Sequence, residues 1–442
     1  MISYISIIVA TLSIILSKHL FKKWFNPLSL YTIVWGGMTY LYGLRLLPYY
    51  EISSHAWILI ILSHFSFLMG IIIVFNARNV FYTNEEEAVW DENEFFLFHN
   101  NGKNLRMIIL VLGLIGLFAA IQHWYVLVRE YGSVAQVFIR AQRVYHMKNL
   151  GTESLGEIPY LWISSYISIF FAGIYLAFKN KLEMVVLLPI IGISLKSMAT
   201  FTRSGILFGL LEIVIAFVLT KYILSNKNGS KNKKNKKIII AAVLLAVLMV
   251  GSATVVKMAR QTMDKSITGK SRSMSQFEGN VIFSPAIYFY LSSQIVTFSS
   301  YLKTEDENHL PFEYTLFPLY RVLGKFNLVK KPNTHSFGYY TPTWSNTATY
   351  LRNLYSDFGY AGIILGPFLF GLLSSYFWIV LFYRKKLIYV VYLTFIMISI
   401  GMSFFTLQSQ VTLWVSIVGS AVIIKFFKNK YFLPIISKVN VK

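Results

Sequence analysis

The sequence predicts an all-α polytopic integral membrane protein. Hydrophobic residues make up 55% of the 442 residues, and the mean hydropathy is +0.56. The apolar residues fall in blocks close to the roughly 20 residues that a helix needs to cross a bilayer. The alternating segments of an outer-membrane β-barrel are missing from the sequence. Helices therefore remain as the structure that satisfies the backbone inside lipid.

The apolar blocks predict about 11 transmembrane helices. The first block lacks both a basic start and a small-residue cleavage site, so we expect a retained helix rather than a removed signal peptide. The blocks lie at residues 2–17, 28–47, 56–75, 107–128, 158–178, 183–199, 204–224, 238–256, 360–382, 387–406 and 411–427.

Lysine and arginine in the short loops predict the orientation of these helices. The clearest case is the basic run from Lys227 to Lys237, which we expect to be cytoplasmic. Alternation of the helices then places the N-terminus outside and the C-terminus in the cytoplasm. The other basic clusters that fall inside are Lys18/Lys22/Lys23, Lys179/Lys181, Arg384/Lys385/Lys386 and the tail from Lys425 to Lys442.

This topology divides the chain into three parts. Residues 1–256 form a bundle of about eight helices, with an outer loop at 129–157 and the basic cytoplasmic loop at 225–237. Residues 257–359 form a long extracytoplasmic loop, and residues 360–442 add about three helices. We interpret the apolar stretch Val281–Tyr301 in the long loop as a re-entrant or surface helix, because a crossing there would place the basic C-terminal residues outside. Its serines and glutamine suit the wall of a wet cavity.

Composition also limits the function. The net charge of +22 is explained by the membrane topology and by anionic lipid heads, so it predicts no nucleic-acid partner. The absence of cysteine excludes disulfides and thiolate chemistry. The sequence contains no Asp-x-Asp, glycine-rich phosphate loop, His-Glu-x-x-His or Gly-x-Ser-x-Gly motif. We therefore expect no metal and no cofactor.

Cations on the predicted outer side are the first candidate site residues. Arg140 and Arg143 are three residues apart and would share one face of a helix, although a solvated amphipathic face explains them equally well. The long outer loop carries an excess of cations that suggests anion binding. Its candidate substrate-binding cations are Arg260, Arg321 and Arg352.

Arg203 is a sharper candidate, because it opens a predicted span at the outer end. A helix N-terminus already presents partial positive charge and free N–H groups. An arginine at this position is repelled by the positive helix end. A phosphate that binds both the guanidinium and the N–H groups would offset this repulsion. Lys196, about two helical turns earlier, adds a second cation. The alternative is an interfacial arginine that reaches toward water.

The end of the long loop supplies the candidate catalytic groups. Asp357 is a candidate general base or a fixed partner of an arginine, and its alternative role is an ordinary N-cap. His335 is a lone loop histidine that remains a candidate base. Asn346 and Tyr350 precede Asp357 and are candidate sugar-binding residues.

Two motifs carry a resemblance to a known family. Thr202-Arg203-Ser204-Gly205 opens a middle span, and Asn346…Tyr350…Tyr355-x-Asp357-Phe358-Gly359-x-x-Gly362 opens a late one. Together they resemble the bacterial oligosaccharide repeat-unit polymerases, the Wzy-type O-antigen and capsule polymerases. Arg140 and Arg143 are similar to the arginine-bearing outer loop of that family. The likeness in layout covers nearly the whole chain, whereas the motifs cover a small part of it.

The resemblance implies a GT-C-like fold and a metal-independent inverting glycosyltransferase in the bacterial cytoplasmic membrane. Donor and acceptor would both be oligosaccharides on undecaprenyl pyrophosphate at the outer face, with a flippase and a chain-length regulator as further partners. Arg203, Arg140 and Arg143 would bind pyrophosphate and offset the charge of the leaving group. The loop that ends at Asp357 would cradle the acceptor sugar.

Three other functions remain open at this point. An O-antigen ligase-like glycosyltransferase depends on an outer-loop histidine, and His335 keeps that interpretation open. A lipid-linked oligosaccharide flippase or other transporter is disfavoured, because the predicted spans carry little charge near mid-membrane apart from Lys196 and Glu212. A purely structural scaffold leaves the long outer loop unexplained.

Overall fold

The computed structural model of this chain is mostly helical. It describes residues 2–81, 97–150, 158, 160–225, 272–278, 285–304, 310–330, 332, 338–341, 343–407 and 411–439. The helices in this part of the chain are α1 (Ile2–Phe21), α2 (Pro27–Gly43), α3 (Ser54–Phe81), α4 (His99–Tyr131), α5 (Val134–Ile139), α6 (Ala141–Leu150), α7 (Ile163–Lys179), α8 (Met184–Ala199), α9 (Ser204–Ser225), α10 (Arg272–Ser275), α11 (Pro285–Ser292), α12 (Gln294–Thr304), α13 (Phe317–Lys325), α14 (Tyr350–Arg384), α15 (Leu387–Met402) and α16 (Val411–Val439). Strands β1 (Tyr339–Tyr340) and β2 (Trp344–Ser345) form one antiparallel pair.

The structure confirms the prediction of a mostly helical chain with long apolar helices. Every predicted apolar block coincides with a helix except 238–256, which lies outside the described residues together with the basic run 227–237. The apolar helices α7, α8 and α15 are shorter. Five helices of the described part are long and apolar enough to cross a membrane: Tyr4–Phe21, Ser54–Ala77, Asn100–Tyr131, Ser204–Leu224 and Tyr350–Arg384.

The chain forms two compact units that alternate along the sequence. Helix α14 contributes residues to both. Unit 1 consists of Met1–Thr83, Gln261–Tyr376 and Ser399–Val411, and unit 2 consists of Asn84–Arg260, Phe377–Ile398 and Thr412–Lys442.

Unit 1 is held together by aromatic side chains whose polar atoms bond inside the protein. The ring of Tyr31 stacks on Phe67 at 4.1 Å, and its hydroxyl lies 3.1 Å from the hydroxyl of Tyr350. Trp35 is fully buried and donates its indole N–H to the Ser403 hydroxyl at 3.0 Å. These bonds remove the cost of burying each polar atom.

The stretch predicted as a re-entrant or surface helix is broken into two short helices. Helices α11 and α12 meet at Ser293, and neither reaches the length needed to cross a bilayer. Most of their side chains are buried within unit 1. The hydroxyl groups of Tyr49 and Ser292 are 2.6 Å apart, so the polar residues of this stretch face protein and not lipid. Burial raises the pKa of Tyr49 and of Tyr288, which keeps both phenols neutral.

Unit 2 is built around close contacts between α4, α7, α8 and α9. A side chain at Gly116 of α4 would overlap Ser165 of α7, and one at Gly173 of α7 would overlap the Ile213 carbonyl of α9. Small residues at such crossings let helix backbones approach closely, which is the way helices associate without help from the hydrophobic effect in lipid.

We expect Gly371→Ala to destabilise unit 1. Gly371 of α14 faces α3, where an added Cβ would overlap the Phe67 carbonyl oxygen, and Gly70 of α3 meets the Phe368 carbonyl in the same way. Overpacking of this kind costs about 1–3 kcal/mol. Thermal unfolding of the detergent-solubilised protein measures the effect. Gly37→Ala is the matched control, because nothing lies within 4 Å of its added Cβ, and equal melting temperatures for the two variants would contradict the prediction.

Candidate functional site

The turn between α8 and α9 places Arg203 at the start of α9. The Thr202 N–H donates to the Ser197 carbonyl at 3.0 Å, and the Phe201 N–H donates to the Met198 carbonyl at 3.1 Å. These are the two bonds of a Schellman motif, and Phe201 takes its left-handed position with φ 49°. The Arg203 carbonyl accepts from the Leu207 N–H at 3.2 Å. Arg203 therefore lies directly before α9, at the helix start that the sequence predicted.

The ring of Phe201 joins this turn to the segment that carries Arg140 and Arg143. Phe201 is fully buried in a hydrophobic cluster with Leu127, Tyr131, Val137, Ala141, Val144 and Ala199. Its ring contacts Phe138 edge-to-face at 5.6 Å. Phe138 lies two residues before Arg140, and Phe201 lies two residues before Arg203. The structure therefore brings the α5–α6 segment and the α8–α9 turn together.

The spacing of Arg140 and Arg143 would place both on one face of a single helix. In the structure they lie on two successive helices instead. Arg140 ends α5 with φ −97° and ψ 16°, and Arg143 belongs to α6. Both side chains are exposed. The guanidinium of Arg140 lies 5.7 Å from the centre of the Tyr131 ring, a distance that permits a cation–π interaction.

Lys196 lies in the last turn of α8 and is buried. Its ammonium nitrogen is 2.8 Å from Nδ1 of His123 and 5.7 Å from the centre of the Trp162 ring. An ammonium group has only hydrogens to donate. Nδ1 of His123 is the acceptor when Lys196 carries its full charge. His123 was not among the residues predicted from the sequence. Its position within the apolar span of α4 was the signal that could have identified it.

We call Arg140, Arg143, Lys196 and Arg203 the cationic end of unit 2. The amide groups of the first turn of α9 lie at this end, where the helix dipole is positive. At the other ends of the same helices, Lys179 donates to the side-chain oxygen of Asn101, and Tyr175 donates to Glu183 at 2.6 Å. Guanidinium groups beside a helix N-terminus form an arrangement that binds phosphate groups.

Unit 1 contains a second group of candidate residues, around Arg352. Arg352 is fully buried, and its guanidinium lies 5.0 Å from the ring centre of Tyr339 and 5.5 Å from that of Tyr301. Tyr350 is buried two residues earlier, and its backbone N–H donates to the Ser403 carbonyl at 2.8 Å. Asn346 is half-buried between β2 and α14. Electron-rich rings on a guanidinium stabilise its charge away from water.

Asp357 lies two residues before Gly359, whose φ of 58° and ψ of −139° break α14. It is not the N-cap that its sequence position suggested, because its carboxylate binds backbone amides of another segment. The side chain is largely buried. Its Oδ2 accepts from the Thr315 N–H at 2.7 Å, and its Oδ1 accepts from the Tyr314 N–H at 3.2 Å. Two amide donors stabilise the ionised carboxylate and fix its position. Asp357 therefore anchors the segment before α13 to helix α14.

The remaining candidates are dispersed. Arg321 is exposed on α13. Arg260 and His335 lie outside the described residues. Among the side chains that the structure describes, no group of three or more histidine, aspartate or glutamate residues is arranged to hold a metal ion.

In comparisons with known proteins, no family model, curated protein or solved structure matches the chain. The chemistry of the protein is therefore inferred from the geometry of its candidate site residues. This geometry offers the cationic end of unit 2, the buried Arg352 of unit 1 and the carboxylate of Asp357, which is held by backbone amides.

We expect Asp357→Ala to loosen the segment before α13. The substitution leaves the Tyr314 and Thr315 amides without this acceptor, and the loss of hydrogen bonds to a charged group costs about 1.5–3 kcal/mol. Asp357→Asn keeps one acceptor oxygen and should lose less. Limited proteolysis between residues 310 and 316, with thermal unfolding, measures both. Glu130→Ala removes an exposed carboxylate and serves as control; unchanged protease resistance in Asp357→Ala would contradict the anchoring role.

Proposed function

We propose that this protein is a polysaccharide polymerase. It joins oligosaccharide repeat units carried on undecaprenyl pyrophosphate into O-antigen, capsule or exopolysaccharide, as a metal-independent inverting glycosyltransferase of GT-C type. The proposal includes about 11 transmembrane helices in a bacterial cytoplasmic membrane, with the N-terminus outside and the C-terminus in the cytoplasm. A flippase and a chain-length regulator would be its partners.

The observation that carries the proposal is the contact between Phe138 and Phe201. It gathers Arg140, Arg143 and Arg203 at one end of unit 2, beside the N-terminus of α9. A pyrophosphate needs several cations and N–H donors at one place, and the arginines of two distant sequence segments supply them. This grouping fits the resemblance of the same segments to the repeat-unit polymerases.

The proposed chemistry is a direct displacement at the anomeric carbon of the donor. A hydroxyl at the non-reducing end of the acceptor forms the new C–O bond and releases its proton to water. The bond between the anomeric carbon and the pyrophosphate oxygen breaks, and the electron pair leaves with undecaprenyl pyrophosphate. Arg203, with Arg140 and Arg143, stabilises the charge that develops on this leaving group. Lys196, in the last turn of α8, adds a further positive charge.

The acceptor sugar is assigned to the segment that contains Asn346, Tyr350 and Asp357. Asp357 is a poor general base in this arrangement, because both of its oxygens accept backbone N–H bonds that favour the ionised form. We therefore give it a positioning role, in which it holds the segment before α13. Arg352, buried between Tyr301 and Tyr339, is proposed to stiffen the same region.

One observation favours a lipid-linked oligosaccharide flippase as second candidate. Glu212 of α9 is fully buried, and neither carboxyl oxygen has a hydrogen-bond partner among the described residues. Ionisable groups inside membrane spans are typical of transport pathways. The polymerase needs no role for Glu212, so the two functions predict different effects of Glu212→Gln.

The polymerase is tested with the purified protein, its lipid-pyrophosphate-linked repeat unit and no nucleotide sugar. We expect a ladder of products at repeat-unit spacing, and we expect Arg203→Ala to lower the rate by about 100-fold or more because it removes a charged donor to the leaving group. Arg203→Lys should retain part of the activity. Arg384→Ala, at an exposed arginine that ends α14, is the matched control.

A correctly folded wild-type protein that gives no ladder would contradict the polymerase. Transfer of the same lipid across a liposome bilayer, lost in Glu212→Gln and kept in Arg203→Ala, would replace it with the flippase.

A further inference from the structure

Helix α13 presents a stripe of apolar side chains to its surroundings. Leu316, Leu319, Val322 and Phe326 follow at spacings of three and four residues, which places them on one face of a helix. Their exposed fractions run from 39% at Leu316 to 71% at Phe326. The opposite side of the helix faces the protein at the buried Gly324. Within the part of the chain that the structure describes, the stripe is thus an exposed apolar face.

The end of the helix extends this stripe. Asn327 has φ 55°, the Leu328 N–H donates to the Leu323 carbonyl at 3.1 Å, and the Asn327 N–H donates to the Gly324 carbonyl at 3.3 Å. This Schellman motif turns the chain back. Leu328, which is 69% exposed, follows it directly. A local backbone motif therefore adds another apolar side chain beside the stripe.

The charged residues of the segment that carries the stripe have a single sign. Residues 314–331 contain no aspartate or glutamate and carry Arg321, Lys325, Lys330 and Lys331. Arg321 and Lys330 are exposed. Helices that lie in a membrane interface combine an exposed apolar face with basic residues at its side, because the latter meet anionic lipid heads.

The segment before α13 is attached to α14 just before the apolar part of α14 begins. Asp357 of α14 holds the amides of Tyr314 and Thr315. Phe312, before the helix, stacks on Phe358 at 5.0 Å, and both rings are about two-fifths exposed. Beyond Phe358, α14 exposes Tyr360, Ile364 and Leu365. The contact between Phe312 and Phe358 thus links the exposed apolar residues of α13 to those of α14.

We propose that α13 lies in the boundary between headgroups and acyl chains of the bilayer that α14 crosses. Leu319, Val322 and Phe326 enter the acyl region, and Arg321 and Lys330 contact anionic headgroups. A second copy of the chain or a protein partner is disfavoured as occupant, because the single-sign charge beside the stripe matches a uniformly anionic surface. The proposal concerns a contact with lipid and does not depend on the polymerase activity.

The test uses the full-length protein in liposomes of anionic and zwitterionic phospholipid. Because the chain has no cysteine, Val322→Cys gives one site for an environment-sensitive fluorophore, and Leu319→Cys and Phe326→Cys repeat the measurement on the same face. Quenching is compared between phospholipids brominated near the glycerol and near the end of the acyl chain. Leu114→Cys, exposed in the middle of α4, is the deep control. Glu51→Cys, whose side chain is 91% exposed, is the water control.

We expect a blue-shifted emission at 319, 322 and 326, with stronger quenching by the shallow brominated lipid than by the deep one. Leu114→Cys should show the reverse order, and Glu51→Cys should show no quenching. Emission like that of Glu51→Cys would overturn the proposal, because the face would lie in water. Blue-shifted emission without quenching by either lipid would also overturn it, because protein would then cover the face.

Discussion

A polar group that leaves water must find its partner inside the protein, and an apolar environment makes this requirement strict. Many polar side chains of the described helices meet it by turning inward, as in the bond from Trp35 to Ser403. The outer surfaces of the helices keep large apolar residues exposed, for example Ile8 and Leu12 of α1. Charged groups are then favoured at helix ends and in contact with aromatic rings. Arg203 occupies the first kind of position and Arg352 the second.

The two cationic groups satisfy the requirement in different ways. Arg203 stands at a helix start, where a fixed turn presents it together with backbone amides. Arg352 and Lys196 are buried near aromatic rings, and Lys196 also contacts the imidazole of His123. A helix start that offers cations and amides is suited to a diffusing anion, whereas a guanidinium enclosed by tyrosines is suited to stiffening its surroundings. This difference is why the proposed pyrophosphate site is centred on Arg203.

Local signals in the sequence predicted the helices and the place of Arg203. Length and apolar composition are properties of a single segment, and a helix start is encoded by the residues next to it. The partners of Asp357 were not predictable in this way, because Tyr314 and Thr315 are more than 40 residues distant and are brought there by tertiary packing. The same holds for His123, which lies 73 residues before Lys196. The break at Ser293 between α11 and α12 was also missed, since burial within unit 1 overrode the apolar run.

The conformation of Phe201 couples two parts of the cationic end. A left-handed backbone costs a residue with a side chain about 1–2 kcal/mol, and burial of a phenylalanine ring contributes about 1.5–3 kcal/mol. The α8–α9 turn is therefore stable only while Phe138 and its neighbours cover the ring. Local opening of α5–α6 must release the turn as well, so that both segments exchange amide hydrogens as one cooperative unit. An anion that binds these arginines would by mass action make this joint opening less frequent. Its affinity would therefore be linked to the local folding stability of both segments.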